Sequence, residues 1–209
     1  MGYLDEIKEA IINGKYKEIE GMVSQLIKDG VDLKQLIDEG MIAAMDVVGE
    51  KFANSEIFVP EMLVSAVTMQ KGLDLIKPLL KGEETKTRGT IVMCTVKGDI
   101  HDIGKNLVNM MLEGAGFKII DLGVDLSVDQ LMEQVKEIQP DILGLSALLT
   151  TSMPQMKKVI ETLEHAGLRK TIKVMVGGAP VDKKFADAIG ADGYGADAAE
   201  AVKLARTFV

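Results

Sequence analysis

One short segment of the sequence carries residues whose types and spacing suit chemistry. Asp99 and His101 are two residues apart, and Gly98 and Gly104 flank them. A carboxylate this close to an imidazole can hold one ring nitrogen, which leaves the other nitrogen to act as a base or to bind a metal. The glycines allow a turn and a close approach of the backbone. The segment therefore predicts a general base or a metal ligand, and the alternative is a surface histidine in a loop.

Two further segments combine hydroxylated and small residues. Ser146 lies within one apolar run and Ser152 follows that run, and Gly177 and Gly178 end another apolar run. Hydroxyl groups at such points can cap a helix, and Ser152, two residues before a proline, suits an N-cap. Paired glycines either form a plain turn or leave space for a ligand that touches the backbone. Each segment is ambiguous by itself.

The elements that must position these residues alternate between strands and helices. Strands are predicted at 90–96, 117–123, 141–148, 171–178 and 192–194, followed by helices at 104–113, 127–138, 154–166, 181–189 and 197–207. Continuously apolar strands that alternate with helices indicate a parallel sheet covered on both faces. Doubly wound sheets of this kind bind ligands at the carboxyl ends of their strands. All three segments lie at those ends.

The first 80 residues follow a different pattern. Apolar residues at helical spacing predict one helix that Gly14 ends and further helices at about 16–28, 33–52 and 60–80. The short connections favour antiparallel neighbours and hence a four-helix bundle. Residues 81–90 have almost no apolar side chains and are predicted to form a linker. We therefore expect a helical domain at 1–85 and an α/β domain at 86–209.

The composition excludes several classes of function. The chain has 24 Lys and Arg against 32 Asp and Glu, and a net charge of −8 argues against nucleic acid or an anionic membrane as the main partner. No apolar run approaches the roughly 20 residues of a membrane span, and no signal-like stretch begins the chain. The single cysteine, Cys94, excludes an intramolecular disulfide and fits a reducing cytoplasm. With two histidines, a site of three histidine ligands is excluded.

Taken together, the three segments resemble the binding signature of cobalamin-dependent proteins. D-x-H-x-x-G (99–104), 41 residues, S-x-L (146–148), 28 residues and G-G (177–178) match it in identity and in spacing. Residues 52–61, FANSEIFVPE, resemble the helical cap segment of the methyl-transferring branch. The sequence is thus similar to the corrinoid proteins of methylamine, methanol, betaine and methoxyarene methyltransferase systems, and more distantly to the cobalamin module of methionine synthase. The resemblance covers nearly the whole chain.

The resemblance implies a role for each matched residue. His101 replaces the corrinoid's own base as the axial cobalt ligand, Asp99 and Ser152 extend a relay behind it, and small residues line a slot for the displaced nucleotide tail. Phe52 and Val59 cover the upper face of the corrin, although by themselves they are typical of a bundle core. The cofactor-binding residues implied in this way are Phe52, Val59, Gly98, Asp99, His101, Asp102, Ile103, Gly104, Ser146, Leu148, Thr150, Ser152, Gly177, Gly178, Tyr194 and Ala196.

The function implied is that of a methyl carrier that does not catalyse by itself. A substrate-specific methyltransferase loads it, a second methyltransferase passes the methyl group to tetrahydrofolate or a thiol, and a reductive activase restores oxidised cobalt. The 81–90 linker is the expected hinge. A cobalamin subunit of a mutase is an alternative that the cap segment disfavours. A cobalamin-dependent sensor is disfavoured as well, because such proteins carry a DNA-binding or signalling module and this acidic chain has no room for one. A flavodoxin-like domain without cobalamin would have to match the three spacings by chance.

Overall fold

The computed structural model describes residues 2–80 and 87–209. The chain divides into two compact units: residues 1–87 together with 114–116, and residues 88–113 together with 117–209. Residues 81–86 of the predicted linker lie outside the described residues, and the boundary between 85 and 86 stays a prediction. No helix within the described residues is long and apolar enough to cross a membrane.

The first unit is helical. Its elements are α1 (Tyr3–Ile12), α2 (Ile19–Lys28), α3 (Leu33–Gln35), a π-helix (Leu36–Ile42), α4 (Ala43–Ala53), α5 (Val59–Ile76) and a 3-10 turn (Lys77–Leu80). The third predicted helix is therefore not one α-helix over 33–52. Leu36 and Met41 are both fully buried, and their separation of five residues matches the i→i+5 repeat of a π-helix. The wider winding thus brings both side chains into the core of this unit.

The second unit contains a five-stranded sheet with the strand order β2-β1-β3-β4-β5, and every pair is parallel. Its elements are β1 (Thr90–Thr95), α6 (Ile103–Gly114), β2 (Lys118–Asp121), α7 (Val128–Ile138), β3 (Ile142–Ser146), α8 (Met153–His165), β4 (Lys173–Gly177), α9 (Lys183–Ile189), β5 (Gly193–Gly195) and α10 (Ala198–Phe208). The predicted fold class, a helical part followed by a doubly wound parallel sheet, is confirmed. The predicted ends of strands and helices differ by one or two residues.

Helices cover both faces of the sheet. One face, which carries Val92 and Cys94 of β1, packs against α7, α8 and α9. On the opposite face, Gly193 and Gly195 lie against side chains of α10, and the buried Lys105 of α6 donates a hydrogen bond to Asp121. Burial raises the pKa of the Cys94 thiol to about 12. Cys94 is therefore a core residue with an un-ionised thiol.

Candidate functional site

The candidate site lies where the strand order reverses. β1 and β3 are neighbours, with Thr95 paired to Ser146, although β2 lies between them in the chain. The loops that follow β1 and β3 therefore meet at the carboxyl edge of the sheet. In doubly wound sheets this switch point is where ligands bind. The first loop carries Asp99 and His101, and the second carries residues 147–152.

Asp99 and His101 form the centre of the site. Oδ1 of Asp99 lies 2.7 Å from Nδ1 of His101 and also accepts a hydrogen bond from the His101 backbone N–H at 3.1 Å. The Asp99 side chain is fully buried, whereas the His101 side chain is 48% exposed. With Nδ1 bonded to a carboxylate, the neutral ring keeps its lone pair on Nε2. The imidazole is thus arranged to bind a metal or a proton through Nε2.

The other carboxylate oxygen of Asp99 is held by the loop after β3. Oδ2 accepts hydrogen bonds from the backbone N–H groups of Leu148 (2.7 Å) and Leu149 (3.0 Å). Burial by itself raises the pKa of Asp99, but the hydrogen bonds from His101, Leu148 and Ser152 outweigh it and hold the pKa well below its usual range. Asp99 is therefore an anion at neutral pH, and it stabilises positive charge on the His101 ring or on a metal bound to it.

Ser152 belongs to this hydrogen-bond network. It occupies the N-cap position of α8, as its sequence context suggested, but its side chain makes no capping hydrogen bond. Instead, its Oγ lies 2.9 Å from Oδ2 of Asp99 and 2.8 Å from the carbonyl oxygen of Leu149. The helix-cap interpretation of this hydroxyl is wrong, because the Ser152 backbone has helical dihedral angles (φ −90°, ψ −23°) and not the extended conformation in which an N-cap side chain accepts from the helix N–H groups.

Small residues form a row across the carboxyl edge of the sheet. Thr95, Ser146, Gly177 and Gly195 pair in succession along neighbouring strands. Since paired residues of parallel strands point to the same face, all four lie on the face that α10 covers. The hydroxyl of Thr95 donates to the His101 carbonyl oxygen at 2.9 Å, which ties this row to the histidine. The two glycines of the row are closely packed, since an added Cβ lies 3.0 Å from the Gly195 carbonyl oxygen at Gly177 and 3.1 Å from Cβ of Ala201 at Gly195.

The two remaining glycines of the motif differ from each other. A Cβ added to Gly104 has no other atom within 4 Å, so this position is open. Gly178 has a φ of +124°, and an added Cβ there lies only 1.9 Å from the carbonyl oxygen of Ala147. Gly178 is therefore required for the packing of the loop after β4 against the loop after β3. Gly104 is exposed near the start of α6 and leaves room for a ligand there.

Tyr194 does not belong to this cluster, and Phe52 and Val59 belong to the helical unit. Tyr194 pairs with Val176, and its side chain packs on the opposite face of the sheet, against the core that α7, α8 and α9 cover. Phe52 is half-buried at the end of α4, and Val59 at the start of α5 is 40% exposed. The bundle-core interpretation is therefore wrong for Val59. The role of Phe52 and Val59 as a cover for the corrin stays a prediction.

The other predicted residues lie in the loops around His101. Gly98 and Asp102 share its loop, Ile103 begins α6 directly after that loop, Leu148 and Thr150 follow β3, and Ala196 follows β5; all six are exposed.

Two apolar residues of the site were not predicted. They are Ile100, which is next to His101 and 73% exposed, and Leu149, which is exposed beside Leu148. The predicted residue Ile103 is also apolar and 87% exposed. Large apolar side chains that face solvent together mark a binding surface. The sequence held a signal for them, because Ile100 and Leu149 are apolar residues in loops, directly next to motif residues.

The donor set fits a corrinoid. Within residues 2–80 and 87–209, no group of three or more His, Cys, Asp or Glu side chains could hold a metal ion. His101 is instead a single nitrogen donor surrounded by exposed apolar side chains. Such a donor suits a metal whose remaining ligands come from an apolar macrocycle.

Comparisons with known proteins agree with this arrangement. Two family models, both described as a B12 binding domain, match residues 89–203 and 3–77. A corrinoid protein of Desulfitobacterium hafniense is 41% identical over 208 residues, which is 98% of this chain and 96% of that protein. The trimethylamine corrinoid protein of Methanosarcina barkeri is 43% identical over 197 residues, 93% of this chain and 91% of that protein.

A solved structure is similar as well. A chain of the methanol:cobalamin methyltransferase complex of Methanosarcina barkeri matches with a TM-score of 0.87 and 32% identity, over 98% of this chain and 78% of that chain. The fold, the histidine site and both parts of the chain thus lead to one family. The chain belongs to the corrinoid proteins with B12-binding domains, and its cofactor is cobalamin or a related corrinoid.

Proposed function

We propose that this protein carries a methyl group between partner enzymes on a corrinoid held by His101, with the corrinoid's own base displaced. The observation that carries the proposal is the half-exposed His101, whose Nδ1 is held by a buried, anionic Asp99. Support also comes from relatives named as trimethylamine and dimethylamine corrinoid proteins. The similar chain in a methanol:cobalamin methyltransferase complex points to the same role.

Each residue of the site has a distinct role in the proposed function. The bound corrinoid supplies a cobalt ion that takes a methyl group from a donor and passes it to an acceptor. His101 presents Nε2 to the cobalt, and Asp99 keeps Nδ1 hydrogen-bonded. Because Ser152 and the N–H groups of Leu148 and Leu149 keep Asp99 charged, a proton taken up by the pair goes to His101. Ligation of His101 is in this way linked to proton uptake.

The nucleotide tail is proposed to lie along the row of small residues. Gly104 supports this location, because an added Cβ there meets no other atom within 4 Å and the position leaves room for the tail. The residues proposed to contact the corrinoid, besides His101, are Gly98, Asp102, Ile103, Gly104, Ser146, Leu148, Thr150, Gly177, Gly178 and Ala196. Tyr194 contributes only its backbone to this proposal, because its side chain lies on the other face.

The partners follow from the carrier role. A substrate-specific methyltransferase for a methylamine, methanol, betaine or methoxyarene loads the carrier, a second methyltransferase unloads it to tetrahydrofolate or a thiol, and a reductive activase restores cobalt that has been oxidised. The carrier does not catalyse either transfer alone. We propose a cytoplasmic location for these reactions, because the single cysteine of the chain cannot form an intramolecular disulfide and the protein does not depend on an oxidising compartment.

Spectroscopy of the cobalt tests the ligand. The protein is loaded with hydroxocobalamin, reduced to Co(II) and examined by electron paramagnetic resonance with ¹⁴N- or ¹⁵N-labelled histidine. Ligation by His101 predicts a nitrogen splitting that changes from triplets to doublets with the label. His101→Ala must lose this splitting, and His165→Ala, which removes the other histidine of the chain, must keep it. A splitting that still changes with the histidine label in His101→Ala contradicts the proposal.

Transfer assays test the carrier role. Loaded, reduced protein is incubated with ¹⁴C-methyl-labelled trimethylamine, dimethylamine, methanol or betaine, with and without the cognate methyltransferase. We expect protein-bound label only when the methyltransferase is present, and none with His101→Ala at the same enzyme concentration. Label taken up by the carrier without any methyltransferase would show that the chain is itself an enzyme.

A further inference from the structure

We propose that Asp125, in the loop between β2 and α7, is a positioning residue. It holds the loop that carries His101 in the conformation that presents the imidazole to cobalt. The inference deepens the proposed function, because it requires His101 to be the cobalt ligand. Asp125 lies outside the cobalamin signature, and it contacts three consecutive residues of the loop that carries the histidine.

The contacts of Asp125 are specific. Its Oδ1 accepts a hydrogen bond from the backbone N–H of Gly98 at 2.8 Å, and its Oδ2 lies 3.0 Å from Nζ of Lys97. Its own backbone N–H donates to the carbonyl oxygen of Asp99 at 3.0 Å. Asp125 thus fixes both the start of the loop that carries His101 and the backbone of Asp99.

The backbone at both contact points has a left-handed conformation. Gly98 has a φ of +85° and Asp125 a φ of +57°. Aspartate and asparagine are the side chains that adopt this region most readily, after glycine. The neighbouring backbone continues the sheet, because Thr95 N–H donates to Gly123 at 2.9 Å and Val96 pairs with Leu126. Asp125 therefore sits in a loop that is itself anchored to β1.

Asp99 is consequently held from two sides. The loop after β3 binds its carboxylate through Leu148 and Leu149, and Asp125 binds its carbonyl oxygen. With both ends of Asp99 fixed, the direction in which it presents Oδ1 to His101 is fixed as well. The ion pair with Lys97 contributes less, since both side chains are largely exposed and such pairs are weak. The hydrogen bond to Gly98 is the interaction that positions the loop.

Three variants separate these contributions. Asp125→Gly keeps the left-handed backbone but removes the carboxylate. Asp125→Asn keeps an oxygen for the Gly98 N–H and removes the charge. Lys97→Met removes the outer ion pair and is the matched control, because it leaves the contact to Gly98 in place.

The first measurement is made on the apoprotein. Amide hydrogen exchange at Gly98 is followed by NMR, and we expect exchange to be about tenfold faster in Asp125→Gly, the effect of losing one hydrogen bond. Asp125→Asn and Lys97→Met are expected to stay within about twofold of the wild type, because both keep the acceptor. Faster exchange in Lys97→Met alone would overturn the assignment.

The second measurement is made on the Co(II) cobalamin form, at the pH at which half of the wild-type protein is histidine-ligated. We expect the ratio of ligated to unligated cobalt in Asp125→Gly to be about one tenth of the wild-type ratio. Asp125→Asn is expected to restore the wild-type ratio. Wild-type ligation in Asp125→Gly, or its loss in Asp125→Asn, would overturn the inference. A wild-type protein that shows no histidine ligation contradicts the proposed function instead, and amide exchange in the apoprotein still tests the contact to Gly98.

Discussion

At the scale of single residues, the site depends on the number of hydrogen bonds that the protein donates to the buried carboxylate of Asp99. Its two oxygens accept from the ring and backbone of His101, from two further backbone N–H groups and from the hydroxyl of Ser152. Every partner is a donor, so only an anion suits this position. The buried carboxylate is therefore specified by its surroundings as strongly as any core residue.

This arrangement predicts the effect of Asp99→Asn. The amide nitrogen replaces one of two acceptor oxygens and faces donors, so we expect the α/β unit to lose about 1–3 kcal/mol of stability. NMR of the His101 ring nitrogens should also show a change in the tautomer. Urea denaturation of the apoprotein at pH 7 measures the first effect, with Glu164→Gln, an exposed change of the same chemistry, as the control. Equal stability of the two variants would contradict the prediction.

A substitution at Gly104 tests the slot for the nucleotide tail, because it should keep or raise the stability of the apoprotein and lower the affinity for cobalamin. An alanine there meets no other atom within 4 Å, and alanine stabilises a helix relative to glycine by up to about 1 kcal/mol. We expect Gly104→Ala to leave the apoprotein as stable or more so, yet to retain less hydroxocobalamin after desalting, because the methyl group fills the slot. Undiminished retention would remove Gly104 from the slot.

The sequence predicted part of this site, and the limits have physical causes. Asp99 and His101 lie two residues apart, so their contact follows from local spacing. The contacts of Asp99 with Leu148 and Ser152 span about 50 residues of sequence, and they depend on β1 lying beside β3, which no local pattern specifies. The same holds for Asp125, whose role depends on a loop 26 residues beyond Asp99.

At the scale of elements, composition predicted the strands and helices of the second unit well. Strands such as β1 and β3 are buried on both faces and therefore read as unbroken apolar runs. The π-helix at Leu36–Ile42 was not predicted, because its apolar residues also suit an α-helical pattern, and only packing selects the wider winding.

Asp192, just before β5, shows how one carboxylate fixes the start of two strands. It accepts from the N–H of Val174 at 2.8 Å and pairs with Arg169 at 2.7 Å. Burial by itself raises the pKa of Asp192, but the hydrogen bonds from Val174 and Arg169 outweigh it, so the pKa is lowered. A group with a lowered folded-state pKa stabilises the fold above its unfolded pKa, and this contribution disappears as the pH falls through the folded pKa.

The lowered pKa of Asp192 predicts how the loss of stability in Asp192→Asn depends on pH. We expect the variant to be about 1–2 kcal/mol less stable than the wild type at pH 7, with a difference that narrows once the pH falls below about 4, the ordinary pKa of aspartate. Denaturant unfolding at a series of pH values measures it. Asp187→Asn, which removes an exposed ion pair with Lys183, is the control and should change little at any pH. A difference that widens in acid would contradict the assigned pKa direction.

At the scale of the whole molecule, the shift in composition near residue 81 predicted a helical part followed by an α/β part, and the structure contains both. The doubly wound arrangement followed from the alternation of strands and helices. The strand order β2-β1-β3-β4-β5 did not, because the pairing of strands distant in sequence is decided by the packing of the whole sheet.

Cofactor binding should stabilise the protein as a whole. A ligand that binds only the folded state at 100 times its Kd adds about 2.7 kcal/mol. We expect hydroxocobalamin to raise the Tm of the wild type, and to raise that of His101→Ala less, because the ligand bond is absent. Calorimetry at increasing cobalamin concentration measures both. An identical rise in the two proteins would show that His101 contributes nothing to affinity.

The buried thiol of Cys94 has a practical consequence for following such a carrier at work. Burial raises the pKa of this thiol to about 12, so almost no thiolate is present at pH 7, and the thiolate is the form that maleimides and alkyl halides attack. We therefore expect the wild-type chain to serve as a background without a reactive cysteine. A cysteine introduced at an exposed position such as Glu164 can carry a fluorophore or spin label as the sole reactive sulfur, with the native core left unaltered.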